Sequence, residues 1–255
     1  MTYLDYNATT PLCDVAREAM LPYLGRYFGN PSSIHAAGRE ARAAIDNARD
    51  KLGALLRAKP GEIIFTGGAT ESCNLAVLGL ARSSSSRGGH IISNKAEHHA
   101  VLHPLEHLEQ HEGFEVTWLN VSESGMVDLD QLADSIRPDT RLVSIMTANN
   151  ETGVIQPMRE ISQICRDRGV LLHSDMVQAF GKTDVDVSLV DVASFAAHQE
   201  KRLRCFSTFD RAAGHCVPAP SRGRAISIPR RQPFPRCPPH FLSRGAADFR
   251  VRPRT

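Results

Sequence analysis

Up to His198 the chain alternates short apolar, β-rich runs with segments of helical spacing, and this alternation restricts its fold more than any other feature. Strand-like runs lie at 63–65, 90–92, 114–121, 142–146, 170–172 and 192–195. Helical spacing covers 71–82, 101–111, 129–136 and 158–168, and an Ala/Arg/Glu-rich helix over about 37–57 precedes the first strand. Strands joined through helices pair in parallel, because the helical crossover returns the chain to the same end of the sheet. The expectation is therefore an α/β domain with a mostly parallel sheet and helices on both faces. Such sheets take ligands outside the carboxyl ends of their strands, so the residues that follow each strand are where chemistry is to be sought.

The pattern stops abruptly. Beyond His198 stand one lysine and twelve arginines against three acids, a local charge of +10 in a chain of net charge +2, which leaves −8 for the first 198 residues. Eight prolines are interleaved with those arginines. Proline fits neither a central strand nor a helix interior, so residues 199–255 are expected to form a disordered or poorly packed basic tail on an incomplete large domain, 1–198. A shift of reading frame would produce such a break.

With 42% hydrophobic and 23% charged residues the composition is that of an ordinary globular chain. No apolar run approaches the roughly 18 residues of a membrane span, and Met1-Thr2-Tyr3-Leu4-Asp5 lacks the features of a secretory signal, so a cytoplasmic protein is expected. The six cysteines (Cys13, Cys73, Cys165, Cys205, Cys216, Cys237) form no Cys-x-x-Cys pair; reduced thiols and no zinc site are expected.

Four strand ends carry candidate chemistry. After the first comes Thr66-Gly67-Gly68-Ala69-Thr70-Glu71-Ser72, where glycines allow a tight strand-to-helix turn and the free N–H groups of the first helical turn, with the Thr70 hydroxyl, can cradle a phosphate. The same residues would also make a plain glycine turn with Thr70 as the helix N-cap. After the second comes Glu97-His98-His99, with a histidine placed either to stack on a flat ligand and move protons or simply to sit in a loop. Asn149-Asn150-Glu151-Thr152-Gly153 offers amides for a ring hydroxyl, or a plain polar turn. His173-Ser174-Asp175 places a carboxylate at the end of a buried strand, where it needs a cation or donor; a protonated pyridine nitrogen would serve, as would a capping role in the next segment. Phosphate cradle, stacking histidine, ring-hydroxyl amide and carboxylate together describe pyridoxal 5'-phosphate.

His99, His103, His107 and His111 recur every four residues along one helix face. No carboxylate or cysteine set accompanies them, so they read as a solvated face rather than a metal stripe, and Pro104 is expected to limit where that helix starts.

These segments, together with Leu4-Asp5-Tyr6-Asn7-Ala8-Thr9-Thr10-Pro11, Gly29-Asn30-Pro31-Ser32-Ser33-Ile34-His35 and Gln178, resemble in order the cysteine desulfurases, a branch of the class V aminotransferases with the type I pyridoxal-phosphate fold. The resemblance runs from about Thr2 to His198. It implies that Ala69 and Thr70 bind the phosphate and that His98 stacks on the ring and assists proton transfer. It further implies that Asn150 contacts the ring hydroxyl, Gln178 bonds on the same side, Asp175 pairs with the ring nitrogen, and His198 sits beside the cofactor lysine. The implied reaction takes L-cysteine to L-alanine and delivers its sulfur as a persulfide to an enzyme cysteine, then to an acceptor protein for iron–sulfur clusters or thiolation. A homodimer is also implied.

The chain departs from the family at its anchor. Where the family carries the Schiff-base lysine this chain has Gln199, which cannot form an imine; Lys201 is the nearest lysine. Ala196 replaces a phosphate-binding serine found in many members, and the last sheet strands, the small carboxyl-terminal domain and the sulfur-accepting loop have no recognisable counterpart. Impaired or absent turnover is the expectation. A related lyase acting on selenocysteine or cysteine sulfinate, or a non-catalytic remnant whose basic tail binds nucleic acid, are the alternatives; the second lacks the regularly interleaved aromatics of a single-strand binder.

Overall fold

The computed structural model describes residues 2–83 and 88–197, and the backbone of 214–218. A short helix, α1 (Asp14–Met20), and the long α2 (Ala36–Leu56) precede an alternating series. In order these are β1 (Ile64–Phe65), α3 (Ala69–Ala81), β2 (Gly89–Asn94), α4 (His99–His111), β3 (Phe114–Leu119), α5 (Leu129–Ser135), β4 (Thr140–Ser144), α6 (Met158–Arg168), β5 (Leu171–Asp175), β6 (Val192–Ala196) and β7 (Gly214–Pro218). The sheet order is β1-β7-β6-β5-β4-β2-β3. The run β6-β5-β4-β2-β3 is parallel throughout, and β7 lies antiparallel between β1 and β6.

Side-chain alternation along the strands sorts the core into two layers. Ile91 and Leu142 pack with Cys73, Val77, Leu105 and Leu108 on the face covered by α3 and α4. Their neighbours Ile92 and Val143 pack with Leu52, Leu132, Ile161 and Cys165 on the face covered by α2, α5 and α6. Each fully buried side chain of this size contributes about 1.5–3 kcal/mol by leaving water. Both faces of the sheet are thus covered, and its strand ends are left for the site.

The expected elements are present with ends shifted by a few residues; α1 and β7 carry no periodic signal in the sequence. One strand of the sheet is drawn from beyond the composition break, and the expected disorder of the rest of the tail lies outside the described residues. The expectation that Pro104 limits the start of α4 is corrected: the helix begins at His99 and runs through the proline. Pro104 has no N–H to give the carbonyl of Ala100, and the Asn74 side-chain amide of α3 donates to that carbonyl instead, at 3.2 Å. The histidine ladder lies opposite the buried face formed by Ala100, Val101, Pro104, Leu105 and Leu108, with His99 stacked on His103 at 5.0 Å.

Candidate active site

The first component is the turn between β1 and α3. Thr66 Oγ1 donates to the carbonyl of Gly68 at 3.1 Å, and the Glu71 carboxylate accepts from Gly67 N at 2.5 Å. Gly68, not Thr70, is the N-cap, and it supplies no side-chain cap. Thr70 is therefore a first-turn residue with an exposed side chain. An uncapped first turn presents backbone N–H groups and the positive end of the helix dipole, the electrostatics an anionic group requires.

Four residues past Ala69, on the same helical face, the Cys73 thiol donates to Asp175 Oδ2 at 3.5 Å. Asp175 ends β5 and is 6% exposed. Its Oδ1 accepts from Val177 N at 2.9 Å, so it caps the following segment as well as facing α3. Burial pushes its carboxyl above the ordinary range, opposed by the Val177 N–H, the electrostatic influence of the nearby His98 and the Cys73 thiol. Among the described residues no lysine or arginine pairs with it. A buried carboxylate met by one amide and one weak thiol donor is undercompensated, which is the environment a cationic ring nitrogen would complete. The same burial, and the Asp175 charge, keep Cys73 protonated with its pKa raised.

His98 caps α4 with extended backbone, its Nδ1 accepting from Ala100 N at 3.1 Å. That bond commits Nδ1 as an acceptor and leaves Nε2 as the nitrogen that can carry and exchange a proton. Glu97, beside it, is 5% exposed; its Oε1 accepts from Met146 N at 2.6 Å and from Asn94 Nδ2 at 3.2 Å, while Oε2 is buried with no partner among the described residues. Burial raises its pKa to about 8.

After β4 the turn is built by Asn149, whose Oδ1 accepts from Glu151 N and Thr152 N, both at 2.9 Å, and whose Nδ2 donates to the carbonyl of Ala96 at 2.8 Å. Asn150 is joined to the amino-terminal segment, its carbonyl accepting from Asn7 Nδ2 at 3.1 Å. Gln178 Nε2 donates to the carbonyl of Asn7 at 3.0 Å, and its Oε1 accepts from Lys182. Asn7 thus ties Asn150 and Gln178 together, a role its place in the sequence did not reveal. Deeper in the sheet, His173 lies between Ser144 Oγ at 2.9 Å and Ser194 Oγ at 3.0 Å, and burial lowers its pKa to about 3, holding it neutral.

The structure therefore brings Asp175 to α3 through Cys73, sets His98 within electrostatic reach of Asp175, and links Asn150 to Gln178 through Asn7. Glu97 and Asn149 were visible only as members of motifs, and Cys73 only as one of six scattered cysteines, since their partners are remote in sequence. His198, Gln199 and Lys201 lie outside the described residues. Among the described residues no group of three His, Cys, Asp or Glu side chains is placed to hold a metal ion.

Comparison with known proteins identifies the family. The chain is 49% identical over 201 residues to "Cysteine desulfurase IscS" of Dechloromonas aromatica, covering 77% of this chain and 49% of the relative. With the protein of the same name from Dictyoglomus turgidum it is 51% identical over 199 residues, covering 77% and 50%. The chain thus spans about half the length of the curated relatives it matches. Among solved structures, a "NIFS-LIKE PROTEIN" superposes with a TM-score of 0.79 at 37% identity, covering 85% of this chain and 58% of that one. "SspA in complex with cysteine" superposes with a TM-score of 0.78 at 36% identity, covering 86% and 61%. The "Aminotransferase class-V" family profile matches residues 2–200, ending at the composition break, and the chain belongs to that family.

Proposed function

We propose that residues 1–198 form the cofactor-receiving part of a cysteine desulfurase and that this chain holds pyridoxal phosphate without the covalent anchor that turnover requires. The observation that carries the reading is Asp175, a buried carboxylate with one amide and one thiol for partners, set beside the uncapped end of α3. The phosphate would lie at Ala69 and Thr70, the ring against His98, its hydroxyl toward Asn150 and Gln178, and its nitrogen against Asp175. His198 would stand next to the anchoring position. Bound there, pyridoxal phosphate supplies an electron sink for carbanion chemistry on an amino acid. His98 would hold and pass protons at Nε2, because Nδ1 is committed to Ala100 N.

L-cysteine as substrate, L-alanine as product and a sulfur-acceptor protein as partner are part of this reading, which the name cysteine desulfurase carried by the relatives supports. A homodimer is supported by Leu4, Leu24, Phe28 and Ile34, apolar side chains that are 71–91% exposed and of the kind a second copy would cover. No helix among the described residues is long and apolar enough to cross a membrane. We read the protein as cytoplasmic, on the strength of these relatives.

Gln199 is the reason turnover is expected to be impaired. Added pyridoxal phosphate should dialyse away from the wild-type chain and leave nothing attached after borohydride, whereas Gln199→Lys should retain cofactor covalently. Cofactor fixed by borohydride to Lys201 of the wild-type chain would overturn the impairment, and a Gln199→Lys chain that retains none would overturn the assigned anchor position.

A further inference from the structure

Three acidic groups lie together beneath the proposed ring position: Glu97 after β2, Cys73 in α3 and Asp175 at the end of β5. They are 5%, 0% and 6% exposed. Glu97 and Cys73 both feel the charge of Asp175, and Cys73 that of Glu97; the His98 imidazole faces Asp175. A buried cluster of this kind cannot hold several negative charges, because each added anion is desolvated and repelled by the first.

The hydrogen bonds decide which member is charged. Both Asp175 oxygens have donors, Val177 N on Oδ1 and the Cys73 thiol on Oδ2. Glu97 is lopsided: Oε1 takes both of its donors, Met146 N and Asn94 Nδ2, and Oε2 is buried with none among the described residues. That is the pattern of a carboxylic acid, with the carbonyl oxygen accepting twice and the other oxygen carrying the proton. The bond to Met146 N crosses from the loop after β2 to the second residue beyond β4. It runs alongside the bond from Asn149 Nδ2 to the carbonyl of Ala96. The two bridges fix the segment that ends in His98.

We infer that Glu97 acts as an uncharged carboxylic acid, a positioning residue that pins the loop carrying His98 to the end of β4 and leaves Asp175 as the single anion of the buried cluster. Its effect on cofactor binding rests on the function proposed above; its protonation state does not.

The test compares the full-length wild type, Glu97→Gln and Glu97→Ala in thermal unfolding without cofactor, and then in pyridoxal phosphate binding. A carboxyl that holds its proton more firmly when folded costs stability as pH rises from its ordinary value of 4.5 to its folded value of about 8. Glu97→Gln, which keeps the acceptor and cannot ionise, should therefore gain Tm relative to wild type between about pH 5 and about pH 8.5, and hold the gain above that. Glu97→Gln less stable than wild type at about pH 8.5 would show a charged, paired carboxylate and overturn the inference. Glu97→Ala should bind pyridoxal phosphate at least about ten-fold more weakly than Glu97→Gln; equal affinity for the two would refute the positioning role. If neither wild type nor variants bind the cofactor, the proposed function fails and the positioning role with it, while the pH dependence still reports the charge of Glu97.

Discussion

Replacing Asp175 by asparagine should move stability and cofactor affinity in opposite directions. In the chain without cofactor, burial of the Asp175 carboxylate outweighs its two donors, Val177 N and the Cys73 thiol, and raises its pKa from the ordinary 3.8. Asparagine keeps the shape and the acceptor for Val177 while removing the charge. Relief of an undercompensated buried charge contributes about 1–3 kcal/mol, which for a domain of this size raises Tm by about 2–10 °C. Because the folded state binds the carboxyl proton more tightly than the unfolded state, the penalty of the native aspartate grows as pH rises from 3.8 through the folded value. The advantage of Asp175→Asn should therefore widen across that window and then level off. With cofactor present the same change leaves a ring nitrogen without its anion. Breaking one side of a buried ion pair costs about 3–5 kcal/mol, so the Kd for pyridoxal phosphate should rise by a factor of about 100–1,000 or more. Thermal unfolding at several pH values and equilibrium dialysis with the cofactor measure the two effects. A lowered Tm together with an unchanged Kd would refute both the undercompensated charge and its match to the ring nitrogen.

Other consequences can be checked on the same protein. Cys73 and Cys165 are buried with raised pKa values, that of Cys165 to about 12, whereas Cys13 is partly exposed; alkylation followed by peptide mapping should label Cys13 in the native chain and the other two only in denaturant. His173, held neutral with a pKa lowered to about 3, contributes stability that is intact above its ordinary value of 6.5 and is lost as pH falls toward 3, so His173→Gln should flatten the acid side of the stability curve relative to wild type. A Cβ at Gly38 would stand 2.3 Å from the carbonyl oxygen of Ser33 and 2.7 Å from that of Asn30, and Gly38→Ala should cost about 1–3 kcal/mol in denaturant unfolding by pushing the Asn30–Ser33 turn off α2.

The layered sheet was legible because its strands and helices differ in period, and because the chain repeats strand, helix, strand often enough to force parallel pairing. The candidate residues could be picked out for the same reason: Ala69, His98 and Asn150 follow strands and Asp175 ends one, and parallel strands bring those ends to one side. What stayed hidden depends on contacts between residues far apart in sequence. Cys73 meets Asp175 across 102 residues, and Glu97 meets Met146 across 49. Neither separation leaves a local pattern. Pro104 misled because a proline normally marks a helix's first turn; only a side chain from another helix, Asn74, makes its interior position tolerable. Thr70 looked like an N-cap by residue type, but α3 starts one residue before it, which frees its hydroxyl for the proposed phosphate.

A calorimetric titration of the purified full-length chain with pyridoxal phosphate tests most directly whether these strand ends form a cofactor site. One saturable, reversible site per chain is expected, weakened by inorganic phosphate competing at the α3 terminus and abolished by the double variant His98→Ala, Asp175→Ala. A chain that is folded by circular dichroism and takes up no cofactor, or takes it up equally after the double substitution, would contradict it.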